Sequence, residues 1–353
     1  MKKKNNKVLW TGIALLLALL SIFAVLSQSR DMSFADLFAS LAASDHRWLA
    51  AAAACTAGYI LFESEALWWL LRGTGNRRKR PETLVYACAD IYCAAITPSA
   101  SGGQPVCAWF MIRDRVPAGY VTAILLIYLI MHDLSTITVG FAGLFLQPSV
   151  FLGFTIWSKL LIIMGYIALI ALGVFFFGLI ALRGRLYGWG CWFIDWFHKK
   201  GWMKYPDVWK EKMQRTLNDY SAGVELMHGR GPMLVLIYFL NLCQRLSQML
   251  VTPMMYMAGG GSAENFRTVL VTQCFTTVGS NCVPVPGGMG IADFLLYDGL
   301  RELMDKESAL RLELLSRSMS FYLCVIISLV VVLIGYLLRK KFYFISRKRR
   351  KKN

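Results

Sequence analysis

Apolar runs of membrane-spanning length alternate along the chain with short polar or basic segments. Residues 8–27, 47–71, 120–147, 156–182, 233–257 and 314–338 form six such runs. A helix needs about 20 apolar residues to cross the hydrocarbon core. Two further apolar stretches, 84–116 and 266–300, break in the middle. The first is interrupted at 97–105 by TPSASGGQP, with Pro98, Gly102, Gly103 and Pro105, and Gln104 among them. The second is interrupted at 284–290 by PVPGGMG, with Pro284, Pro286, Gly287, Gly288 and Gly290. Proline removes a backbone donor and glycine loosens the chain around it. Lipid offers no partner to the freed N–H and C=O groups, so such breaks survive only under protein or beside water. The arms flanking each break are too short to span. The pattern predicts an all-α polytopic membrane protein with about six full spans and two broken re-entrant helical hairpins of opposite orientation. The competing reading, two packing kinks, requires only a single Pro or Gly at each place rather than a cluster.

Composition narrows the class. Of 353 residues, 56% are hydrophobic and 17% charged, and mean hydropathy is +0.49. A soluble domain carries more charge and fewer long apolar runs. The net charge of +17 raises nucleic acid as a partner, but the basic residues cluster at 2–4, 77–80, 339–341 and 347–352, each beside an apolar run. That is the positive-inside pattern of cytoplasmic loops, and it attracts anionic headgroups. Both termini are therefore expected in the cytoplasm. The first hairpin has basic residues at both ends and enters from the cytoplasmic side. The second comes after an outer turn at 259–261 and enters from outside. The run at 8–27 reads as a retained first helix rather than a signal peptide, because it is long and no small-residue cleavage site precedes Arg30. One integral domain results: a first half (1–182), an amphipathic cytoplasmic segment (183–232), a second half (233–338) and a basic tail (339–353).

Polar residues inside the runs carry the candidate chemistry, since intramembrane charges mark pathways more often than cores. His132 and Asp133 stand mid-span in 120–147, and Arg245, with Gln244 and Gln248, in 233–257. Arg245 there needs an acidic partner or an anionic ligand. Asp90 lies on the first hairpin; Asp293 and Asp298 lie just behind the second break. Glu63 and Glu65 either line a cavity or sit near headgroups and pair with Arg77 or Arg78. Opposed hairpins that each stop at mid-membrane are expected to meet, with half-helix dipoles facing the gap. That places Gly103 near Gly288, with Gln104, Asp133, Arg245 and Asp293 lining the space between. In 183–232, Trp192 and Trp196 share a helical face with Lys199 and Lys200 close behind, the composition of an interfacial helix. The same interleaving suits single-stranded nucleic acid, which the flanking spans argue against. Nine cysteines are scattered through apolar segments without CxxC or metal spacing, and read as small buried hydrophobes. No cofactor, metal site or catalytic residue is expected. There is no Walker loop and no triad spacing, so movement of a substrate would be passive, ion-coupled or partner-driven.

TPSASGGQP with a basic IRDR turn behind it, and VPVPGGMGIAD on the second hairpin, resemble the lysylphosphatidylglycerol synthase transmembrane family, the flippase-like region of the multiple peptide resistance factor. The resemblance covers nearly the whole chain, and the Pro-Gly-Gly-x-Gly element with an acid three residues on is its more specific motif. Asp293 stands where family members often have Glu, Gly103-Gln104 where they usually have Gly-Glu, and His132-Asp133 only partly match a Glu-Arg and Asp pattern. The resemblance implies handling of membrane phospholipid, chiefly lysyl-phosphatidylglycerol or a related anionic or aminoacylated lipid, in a context of antibiotic resistance. Its substrate residues here would be Pro98, Gly102, Gly103, Gln104, His132, Asp133, Arg245, Pro286, Gly287, Gly288, Gly290 and Asp293. Full-length relatives add an aminoacyl transferase domain, which 339–353 is expected to be too short to supply. Two activities are then open. One is flippase-like translocation. The other is phosphatidylglycerol lysyltransferase chemistry, by this chain or by a separate transferase that it serves.

Overall fold

A computed structural model describes residues 40–97, 102–200, 206–227, 229–281 and 290–350, without the side chains at 183–184 and 338–350. All regular structure among the described residues is helical. Helices satisfy their own backbone groups, which is what an apolar solvent demands. The long helix α1 (His46–Gly73) starts where the Asp45 carboxylate accepts the Arg47 N–H at 2.9 Å. Helices α2 (Arg80–Ile96) and α3 (Gly103–Arg113) are the arms of the first broken segment. Next come α4 (Ala118–Leu146), a short α5 (Pro148–Gly153) and α6 (Ile156–Ala181). Helices α7 (Arg183–Lys199) and α8 (Pro206–Met227) lead to α9 (Gly231–Ala258). The second broken segment supplies α10 (Phe266–Ser280) and α11 (Ile291–Leu300). Last, α12 (Lys306–Arg317) passes through a π-helical turn (Ser318–Leu323) into α13 (Cys324–Arg350).

Among the described residues, four helical stretches are long and apolar enough to cross a membrane: Ala118–Leu146, Ile156–Ala181, Gly231–Ala258 and Lys306–Leu337. In α6 only 17% of the apolar window is covered by protein, and Trp157 is 73% exposed. A helix apolar all round yet largely uncovered belongs in lipid. The chain is thus an all-α polytopic membrane protein. Helix α1 matches the four in length but carries Glu63 and Glu65. The run at 8–27 lies outside the described residues.

The two broken segments do fold as pairs of short helices. Their arms have 17 and 11 residues in the first and 15 and 10 in the second. At 1.5 Å per residue none of the four reaches the roughly 30 Å of a hydrocarbon core. Thr97 closes the first pair near its break: its hydroxyl accepts the Gly102 N–H at 2.8 Å and donates to the Cys93 carbonyl at 2.7 Å. The opposite end is fixed by Asp114. Tyr86 donates to its carboxylate at 2.5 Å, and Arg78 donates to its carbonyl.

Around these pairs the bundle is held by α1 and α9, which share the most extensive helix contact. Helix α2 lies against α1 and α13, and α3 against α2 and α4. Helix α10 lies among α4, α6, α9 and α11. So α4 touches both broken segments. The main apolar core, with Leu67, Tyr86, Met111, Ile124 and Ile237 fully buried, surrounds the first pair.

Three segments differ from the sequence expectation. The gap between the runs 120–147 and 156–182 contains α5, because Pro148 at the first helical position suits a helix start. The segment 183–232 is two helices joined by a Lys210–Asp195 ion pair at 2.6 Å, with α8 against α4. The basic stretch from residue 339 continues α13 as helix to Arg350 instead of leaving it.

Close packing of α6 on α10 gives a stability prediction. A Cβ at Gly165 would stand 2.1 Å from the Val278 carbonyl oxygen, whereas Gly173 has nothing within 4 Å. Gly165→Leu should destabilise the protein by about 1–3 kcal/mol through overpacking. Its melting temperature in detergent should fall while that of Gly173→Leu stays near wild type. Equal melting of the two variants would show that the α6–α10 contact does not form.

Candidate functional site

One face of α9 carries Asn241, Gln244, Arg245 and Gln248, spaced so that a helix stacks them together. Arg245 is only 8% exposed. It donates to Gln248 Oε1 at 2.7 Å and to the His132 ring on α4, and it lies 5.9 Å from the centre of the Tyr59 ring. A guanidinium can only donate, so the His132 Nε2 accepts and the ring proton sits on Nδ1. That nitrogen faces Asp133 Oδ1 at 3.5 Å. The adjacent Gln244 donates to Glu63 Oε2 of α1 at 2.7 Å, while its carbonyl accepts from Tyr128 of α4 at 3.2 Å.

The network continues into the first broken segment. The Glu63 carboxyl faces that of Asp90 on α2, near enough for the two groups to interact. Gln104, in the first turn of α3, donates to Asp90 Oδ2 at 2.8 Å. Gly103 admits this approach: a Cβ there would stand 2.1 Å from Asp90 Oδ1. The glycine preceding Gln104 is thus a steric requirement of the carboxylate contact. Glu63, Asp90, Asp133 and Arg245 are each at most 8% exposed, so three acids and one base share a buried space. Five atoms in it have no hydrogen-bond partner among the described residues: Glu63 Oε1, Gln104 Oε1, Asp133 Oδ2, Asn241 Oδ1 and Arg245 Nε. Buried polar atoms are nearly always bonded, so unspent capacity on this scale marks a place for water or a ligand.

The second broken segment builds a different cluster. Gly290 adopts φ 82°, a conformation that suits glycine, and its N–H donates to Asp293 Oδ2 at 2.9 Å. This explains why an acid stands three residues after the last glycine: it caps the start of α11. The other Asp293 oxygen pairs with Arg317 at 2.7 Å, and Arg317 pairs with Glu313 at 2.8 Å. Arg317 ends α12 where the π-helical turn begins, a feature often found at functional sites. At the start of α12, Asp305 accepts from the Ser308 N–H and the Glu307 N–H; the Ser308 interaction holds its carboxyl below the usual range. Asp298 is structural. It is 5% exposed, accepts from the Thr155 N–H at 2.8 Å and hydroxyl at 2.9 Å, and pairs with Arg301 at 3.1 Å.

Of the residues expected to share one space, Gly103, Gln104, His132, Asp133 and Arg245 belong to a single network, and Gly102 closes the turn beside it. Gly290 and Asp293 belong to the Arg317 cluster, and no hydrogen bond or ion pair among the described residues joins the two. Pro98, Pro286, Gly287 and Gly288 lie outside the described residues, and with them the expected approach of Gly103 to Gly288. Arg245 bonds His132 and Gln248 rather than a hairpin acid. The network also contains Tyr128, which sequence reading passed over; Asn241, bonded to the Ile237 carbonyl of its own helix, lies on the same face of α9, and Glu63 belongs to the interior rather than to the headgroups. Arg317 and Glu313 were missed too, although Arg317 is a charge inside an apolar run.

The fold and the buried network define a helical membrane protein built around two broken helix pairs and an intramembrane polar centre. A family model described as "Lysylphosphatidylglycerol synthase TM region" matches residues 9–328, so the chain belongs to that family. Membership gives it a lipid-related role in the membrane. No curated protein matches the sequence.

Asp298 supplies a test that separates scaffold from site. Asp298→Ala leaves the Thr155 donors and Arg301 without their acceptor and should cost about 1–3 kcal/mol. A clear drop in melting temperature is expected, with any lipid carried by the remaining folded protein unchanged. Lost lipid binding at unchanged melting would move Asp298 into the site.

Proposed function

We propose that this protein translocates phospholipid headgroups across the bacterial inner membrane, with lysyl-phosphatidylglycerol or a related anionic or aminoacylated lipid as substrate. One observation carries the reading. Arg245 is buried within a span, and its bonded partners among the described residues are a neutral imidazole and a neutral amide. An intramembrane guanidinium without a bonded counter-ion is costly, and a phosphate supplies the fork of charged acceptors it lacks. Its Nε donor is unspent. The broken pairs add helix ends at membrane depth, and the start of α3, beside Gln104, can face a negative headgroup. Acyl tails stay in lipid along the exposed apolar faces while the headgroup crosses the polar centre. The basic clusters orient both termini to the cytoplasm.

The word "synthase" in the family description supports a second reading, in which the chain serves as the membrane part of a phosphatidylglycerol lysyltransferase. Purified protein, alone and with a soluble extract of its own cells, is given lysyl-tRNA and phosphatidylglycerol vesicles: lysyl-lipid that depends on the purified chain is formed only under that second reading.

Arg245 is the residue to change. In vesicles with fluorescent phosphatidylglycerol, Arg245→Ala should slow headgroup movement by about 10–100-fold, the worth of a charge-assisted hydrogen bond of about 1.5–3 kcal/mol. Arg245→Lys should retain part of the rate. Size-exclusion chromatography of the variant shows whether the fold survives. Wild-type rates from Arg245→Ala would remove Arg245 from the site.

A further inference from the structure

Glu63 and Asp90 meet across the contact of α1 and α2. They are 3% and 7% exposed. Each receives a hydrogen bond from a neutral amide: Gln244 to Glu63 at 2.7 Å and Gln104 to Asp90 at 2.8 Å. The other Glu63 oxygen has no partner among the described residues. The groups that face the pair from the surrounding helices are the phenols of Tyr59 and Tyr128, the thiols of Cys88, Cys93, Cys107 and Cys324, and Arg245. Among the described residues Arg245 is the only fixed cation of the set, and it donates to His132 and Gln248. Two carboxylates in contact away from water repel strongly, so a site of this kind holds one cation between them. Among the described residues no group of three or more His, Cys, Asp or Glu side chains could hold a metal ion. A proton held between the two carboxyls would supply the donor that the free Glu63 oxygen lacks.

We propose that the Glu63–Asp90 pair is a proton-binding site that couples headgroup movement to the proton gradient. This rests on the lipid-translocation reading. The step is one of binding alone: the pair takes up one proton, shares it between two oxygens, and releases it as two carboxylates. The location supplies the coupling. Asp90 holds Gln104 beside the first break, and Glu63 holds Gln244, the residue before Arg245. Release of the proton adds a negative charge within reach of Arg245, which then has a reason to leave His132 and Gln248 for Glu63. A headgroup phosphate bound to Arg245 is in competition with that charge. Proton uptake therefore frees Arg245 for phosphate, and proton release favours its discharge.

Two measurements decide the proposal separately from the reading it rests on. Infrared spectra of purified protein at neutral pH should show the carbonyl band of one protonated carboxylic acid, lost in a double variant carrying Glu63→Gln and Asp90→Asn. Both changes keep side-chain shape, and size-exclusion chromatography confirms the fold. An unchanged spectrum in the double variant overturns the proton site, whatever the protein does to lipid. In vesicles containing fluorescent phosphatidylglycerol, a gradient of about one pH unit should shift the lipid between leaflets by up to about tenfold at one proton per headgroup. The Glu63→Gln protein should show no such shift. Lipid that moves freely and ignores the gradient refutes the coupling and leaves translocation standing. Lipid that does not move under any gradient refutes translocation, while the infrared band still judges the proton site.

Discussion

A charged side chain inside a bilayer must find its partners within the protein, and in this chain that demand falls on the seam between α1 and α9. Glu63 comes from one helix, Gln244 and Arg245 from the other, and the two share the most extensive helix contact in the bundle. In water such groups would be solvated and the helices free to separate. In hydrocarbon each unmade bond costs several kcal/mol, so separation of the helices is opposed by polar groups as well as by apolar packing. The remaining elements are arranged about that seam. Helices α2 and α3 bring Asp90 and Gln104 to its one side, and α4 brings Tyr128, His132 and Asp133 to the other.

The acids of the chain divide by how completely they are satisfied. Asp298 uses both oxygens in bonds that tie α11 to the turn before α6. Asp293 uses one oxygen as a helix cap and the other on Arg317. Glu63 and Asp133 each keep a buried oxygen without a partner among the described residues. Full satisfaction rigidifies, whereas spare capacity in a dry interior is unstable until something fills it. This contrast separates the scaffold acids of the second broken segment from the network around Arg245. It also gives the π-helical turn after Arg317 a position of interest, since it comes directly after the residue that locks α11 to α12.

Much of this was legible in the sequence because membrane physics is strict. Pro and Gly clusters within apolar runs gave the two pairs of short helices, and mid-run charges gave His132, Asp133 and Arg245. What the sequence could not supply was which helix meets which. Glu63 and Gln244 are 181 positions apart, and nothing in either segment points to the other. That is why Glu63 has two readings until α9 is seen beside it. Asp293 and Gln104 look like partners because both sit beside a break. The cap at Gly290 and the pairing with Arg317 draw Asp293 into its own cluster instead. The basic stretch after residue 338 reads as a tail from charge alone, yet Lys and Arg are good helix formers and the helix simply runs on.

The central claim is that Arg245 is the anion-binding point of an intramembrane headgroup site. The most direct measurement is a density map of the protein in a lipid disc rich in phosphatidylglycerol. A headgroup phosphate within hydrogen-bond distance of Arg245, beside Gln104 and the first break, is the predicted result. Lipid confined to the outer apolar faces, with Arg245 still bonded to His132 and Gln248 and the space around it closed, would contradict it.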